Sequence, residues 1–82
     1  MRREPDHFGD QELTLIYVAK RLDESLRLEQ ALTQAELDYL VEPDKYAGGV
    51  IFRSERIGAF FYISAQDREA AGTVLTRAGL RS

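Results

Sequence analysis

The sequence predicts a small α+β domain with its elements in the order β-α-β-β-α, and three features of the chain carry that reading. Residues 13–19 (LTLIYVA) are a short, uncharged run rich in β-branched and aromatic residues, as a strand requires. Two later segments repeat their apolar residues at helical spacing. Between those segments lie runs that alternate or stay apolar over strand lengths. With 82 residues there is room for one core, and a chain without Cys has only packing to hold it.

Residues 1–12 (MRREPDHFGDQE) are almost all polar, with Pro5 and Gly9 and no apolar period, and read as a flexible tail ahead of a single domain over 13–82. The early arginines do not open a secretory signal, because acidic residues follow where an apolar stretch is needed. No apolar run approaches the roughly twenty residues that span a bilayer, so the expected location is cytoplasmic.

After the first strand, Asp23 is the expected N-cap of a helix whose stripe is Leu28, Ala31, Leu32 and Ala35, ending near Glu36. Residues 37–42 (LDYLVE) alternate Leu37, Tyr39 and Val41 against Asp38, Leu40 and Glu42, the pattern of a half-buried strand. Pro43-Asp44 is expected to break it, and Gly48-Gly49 to turn the chain. Residues 50–53 and 59–63 are strand-like, either two strands of a hairpin or one long bulged strand. Ser64-Ala-Gln-Asp67 matches a capping box. It opens a second helix with the stripe Ala71, Val74, Leu75 and Ala78, closed by Gly79 and Leu80 as a left-handed cap. Gly72 inside it costs roughly 1 kcal/mol against Ala.

A weak repeat supports this order: ALTQAEL at 31–37 aligns with VLTRAGL at 74–80, and IYVA at 16–19 with FYIS at 61–64. Two strand-helix units joined by a strand make most of the ferredoxin-like pattern, with two helices on one face of the sheet and the last strand missing or replaced. The strand at 13–19 is then an edge without the charge or Pro that usually protects one. Simple alternation puts Ile16, Val18, Phe61 and Ile63 on one side and Tyr17, Phe60 and Tyr62 on the other, while two helices cover one side only. The second side, with Tyr17, Leu40, Ile51, Phe60 and Tyr62 as candidates, or the first-strand edge, is expected to be a protein interface, chiefly between copies in a homo-oligomer.

Little in the chain reads as chemistry. His7 is the one histidine and stands in the expected tail, so neither a Ser-His pair nor a histidine metal site can be assembled, and no enzyme activity, metal or cofactor is expected. Asp23 and Glu24 suit a helix start. Gly48-Gly49 lacks the Lys-Ser/Thr of a phosphate loop. Lys45 and Tyr46, with Arg53 and Arg56 around the next turn, form a candidate mixed-charge rim for an anionic ligand, a small effector or an acidic partner. The net charge of −3 disfavours nucleic acid.

The strand LTLIYVA, the segment LEQALTQAELDYLVE and the segment FYISAQDREAAGTVLTRAGL together resemble a family of small prokaryotic signal-transducing proteins, itself regarded as similar to the PII nitrogen regulators. The resemblance spans residues 15–80 and implies a ferredoxin-like, non-catalytic domain with a signalling or regulatory role. The family has Gly after the first helix where this chain has Glu36, so that turn is expected to be built differently. No PII-type nucleotide-binding motif is matched. Residues 16–20 also look like the first RNA-contact strand of an RNA-recognition motif, with RIGAFFYI at 56–63 loosely similar to the second. In that alternative Tyr17, Phe60 and Tyr62 stack on the bases of single-stranded RNA.

Overall fold

Strand-forming and helix-forming segments alternate along the chain, and the computed structural model, which describes residues 1–48 and 54–80, folds them into a small α+β domain. β1 (Leu13–Ala19), α1 (Leu22–Gln34), β2 (Tyr39–Gly48), β3 (Ser54–Ser64) and α2 (Arg68–Arg77) follow in that order. The sheet is three-stranded and antiparallel, with strand order β1-β3-β2. β1 and β2 therefore run parallel to each other, α1 crosses between them, and β3 fills the gap. Both helices lie on one face. Leu28 and Leu32 of α1 and Ala71 and Leu75 of α2 share one buried cluster with Tyr39, Phe61 and Ile63 of the sheet.

Residues paired directly across strands share a face of the sheet. Phe61 pairs with Val41 and Tyr17, so this row faces the helices, whereas Tyr62 pairs with Leu40 and Leu15 and faces away. Between Leu15 and Tyr17 the register shifts, and Ile16 is the extra residue of a β-bulge. The bulge reverses the alternation of β1. Ile16 and Tyr17 are both buried in the helix-side cluster, and Val18 pairs with Phe60 on the other side. Tyr17 and Val18 thus each lie on the face opposite to the one that simple alternation predicts.

Several local expectations differ from the structure. α1 begins at Leu22 with Arg21 as its N-cap, so Asp23 and Glu24 lie in the first turn. The Glu24 carboxylate reaches back to accept the Lys20 amide at 3.3 Å. β2 continues through Pro43 to Gly48 instead of breaking, which an edge strand permits because one side of its backbone needs no ladder partner. β3 is continuous from Ser54 to Ser64, and residues 50–53 lie outside the described residues. Ser64 precedes a short 3-10 turn, and neither it nor Asp67 makes a side-chain capping hydrogen bond. Glu36 adopts φ 60°, the left-handed conformation that glycine favours, so the turn after α1 is built as a glycine turn would be.

The first twelve residues, expected as a free tail, lie against the sheet. Arg2 bridges Tyr39 in parallel along the outer edge of β2, with the Arg3 amide donating to the Tyr39 carbonyl at 2.8 Å. Residues 5–8 form a 3-10 turn that buries Phe8 to 4% exposure. The Ala65 amide donates to the Glu12 carbonyl at 3.0 Å, tying the segment to the end of β3.

Candidate interaction surface

The sheet face turned away from the helices carries an apolar surface built by the register. Leu15, Tyr62 and Leu40 form one cross-strand row, and Val18 and Phe60 stand in the next. Leu15 is 47% exposed, Val18, Phe60 and Tyr62 are half-buried, and Leu40 is buried. A shallow depression of about 290 Å³ opens on this side, lined by Leu13, Leu40, Tyr62, Glu42, Pro43 and Asp44. Of the residues expected on this face, Phe60, Tyr62 and Leu40 are there. Ile51 lies outside the described residues, and Tyr17 is on the helix side.

Tyr17 works instead as a tie between β1 and α1. Its hydroxyl donates to Glu24 Oε2 at 3.1 Å. Burial and that hydrogen bond push the phenol above its usual range, since both favour the neutral form. Tyr39 makes the corresponding tie from β2. Its ring stacks on Phe61 with centroids 5.9 Å apart, and its hydroxyl donates to Glu29 Oε1 at 3.3 Å. Its phenol is likewise raised, by burial first.

The two sheet edges differ in their protection. The outer edge of β2 contains Glu42, Pro43 and Asp44, and residues 1–3 cover its start. The seven residues of β1 include neither charge nor Pro, and among the described residues β1 pairs on one side only. Its bulge at Ile16 interrupts the ladder but adds no repulsive group. The sequence marked this edge correctly, yet it carried no sign of the bulge that decides which aromatic faces outward.

At the far end of the β2-β3 hairpin the register sets Lys45 opposite Ile57 and Tyr46 opposite Arg56, so three members of the expected rim come together on the backbone. Arg53 lies outside the described residues. Among the described residues no cluster of His, Asp or Glu is able to hold a metal ion, and no helix is long and apolar enough to cross a membrane. No family model matches the chain, and neither a curated protein nor a solved structure matches it.

Proposed function

We propose that the chain is a ferredoxin-like, non-catalytic interaction module that self-associates through the outer edge of β1 and serves a regulatory or signalling role. The observation that carries this reading is the contrast between the two edges. β2 has charge, Pro and a covering segment, while β1 has none of these and adjoins exposed Leu15. Antiparallel pairing of β1 with its copy about a two-fold axis satisfies the free backbone groups of both chains. It also joins their apolar outer faces into one surface. Burial between copies suits a domain of this size, whose own core is small. The signalling role rests on the family resemblance.

The RNA alternative retains Phe60 and Tyr62 on the outer face but loses Tyr17, which is committed to Glu24 on the helix side. Native mass at micromolar concentration tests the proposal. The wild type is expected to run as a dimer, and Leu15→Lys, which places a charge at an already exposed position, as a monomer with an unchanged circular dichroism spectrum. A monomeric wild type overturns self-association. Binding of single-stranded RNA that depends on Phe60 and Tyr62 favours the alternative.

A further inference from the structure

A second apolar surface lies on the helix side of the sheet, at the Ala19 end of β1, and the register explains why it exists. The row Tyr17-Phe61-Val41 has large side chains and is roofed by the helices, whereas the next row, Ala19-Ala59-Pro43, has small ones. α1 begins at Leu22, beyond the end of β1; Ala19 is buried and Ala59 half-buried, while Pro43 is exposed, so the row opens to the surface towards β2. The result is a trench of about 450 Å³ floored by that row and walled by Leu22 and Ile57. Leu22 and Ile57 are 75% and 71% exposed, more than any other large apolar side chain among the described residues. That two such side chains face one trench is unusual for a surface left to water.

The trench also differs in charge from the chain as a whole, which carries −3. Among the described residues, Arg2, Lys20 and Arg21 line it together with one carboxylate, that of Glu29. Glu29 accepts from the Tyr39 hydroxyl at 3.3 Å and lies 3.9 Å from Arg2. Nearby, Glu24 is held by the Tyr17 hydroxyl and the Lys20 amide. Arg21 is paired with Asp23 at 3.4 Å, but both side chains are mostly exposed, so an incoming carboxylate replaces Asp23 at little cost.

We propose that this trench docks an acidic amphipathic segment of a partner protein. The segment's apolar side chains lie between Leu22 and Ile57, and its carboxylates meet the guanidinium of Arg21 and the cations beside it. The trench shares Ala19 with β1 but lies on the helix side, whereas the proposed dimer uses the outer backbone edge of that strand.

The test uses a short peptide of alternating leucine and glutamate and a twin in which lysine replaces glutamate, each titrated into the isotope-labelled full chain and followed by amide chemical shifts. The glutamate peptide is expected to bind, with the largest shifts at Leu22, Ile57 and Ala59, and the lysine peptide to bind far more weakly. Leu22→Ser and Ile57→Ser should each weaken binding roughly tenfold, the loss of one buried aliphatic side chain. Arg21→Glu should shift preference toward the lysine peptide. The proposal is overturned if the glutamate peptide fails to bind at millimolar concentration, if both peptides bind equally, or if the shifts centre on Leu15, Phe60 and Tyr62. A change in native mass of the free chain on Leu22→Ser or Ile57→Ser also overturns it, since the trench would then hold a second copy. Failure of the β1-edge dimer leaves all of these readouts intact, so the two proposals fail separately.

Discussion

Glu36 occupies behind α1 the position that Gly79 occupies behind α2. Their φ angles are 60° and 73°. The Leu37 amide donates to the Leu32 carbonyl at 3.0 Å, and the Leu80 amide donates to the Leu75 carbonyl at 2.9 Å. Both helices therefore end in the same left-handed motif, but only one has the residue that adopts it without strain. A non-glycine residue there costs roughly 1–2 kcal/mol, and glycine returns about 0.5–1 kcal/mol of that through the entropy of the unfolded chain. Glu36→Gly is expected to stabilise the domain by about 0.5–1 kcal/mol, seen as a higher urea midpoint with an unchanged slope. Gly79→Ala is expected to lower the midpoint.

Tyr17→Phe separates the ring of Tyr17 from its hydrogen bond. The ring stays in the core, but the Glu24 carboxylate loses a donor, for an expected cost of about 1 kcal/mol. The pH dependence follows from the raised phenols of Tyr17 and Tyr39. A folded-state value above the unfolded one contributes stability that is fully present below the ordinary phenol range and lost as pH rises through the raised value. Ultraviolet titration of the wild type should show tyrosines ionising late. Tyr17→Phe should remove part of that late step and flatten the alkaline loss of stability.

The order of elements was readable because each rests on local chemistry: β-branched runs, helical stripes, and the Gly79-Leu80 cap. The repeat at 31–37 and 74–80 even aligned Glu36 with Gly79, the pair that shares a conformation in the structure. The faces of β1 were not readable. A bulge depends on how β3 pairs with β1, and LTLIYVA fits either register locally. Pro43 misled for a related reason, because whether Pro ends a strand depends on whether its outer side has a partner. The trench arises from Ala19, Ala59 and Pro43 meeting in one row, and pairing alone brings those three together.

Asp38 fastens the N-terminal segment to the start of β2. It accepts from Arg3 Nε at 3.0 Å and from His7 Nε2 at 3.2 Å. The Arg3 hydrogen bond holds its carboxyl below the usual carboxylate range. A depressed folded-state value contributes stability present above the unfolded value and lost as pH falls through the folded one. The side chain is 38% exposed, so screening by water limits the contribution to roughly a few tenths of a kcal/mol. Asp38→Asn should accelerate amide exchange at Arg3 at neutral pH, and acidified wild type should approach the variant. Equal exchange in both proteins at neutral pH would show that the backbone pairing with Tyr39 holds the segment without help from Asp38.

Gly72 stands on the exposed side of α2, where a Cβ would meet nothing within 4 Å. It needs no special backbone angle, so the residue carries the entropic cost of glycine without a packing benefit. Gly72→Ala is expected to stabilise the domain by about 1 kcal/mol, seen as a rise in Tm of several degrees for a chain of this size. A neutral result would mean that α2 keeps much of its helix in the unfolded ensemble.

Phe8 gives the sharpest test of whether the domain begins at residue 13 or includes what precedes it. It is 4% exposed, yet it stands outside the cluster between the sheet and the helices, as buried Leu40 does. A free polar tail predicts no effect of truncating it. A side chain buried in a packed position predicts a loss of about 3 kcal/mol for Phe8→Ala, a large part of the stability of a domain this small. Urea unfolding decides between the two. Were the variant as stable as the wild type, the contacts of residues 1–12 with β2 would contribute nothing to the fold. Loss near the expected size would extend the cooperative unit to the N-terminal segment, with Phe8 as its anchor.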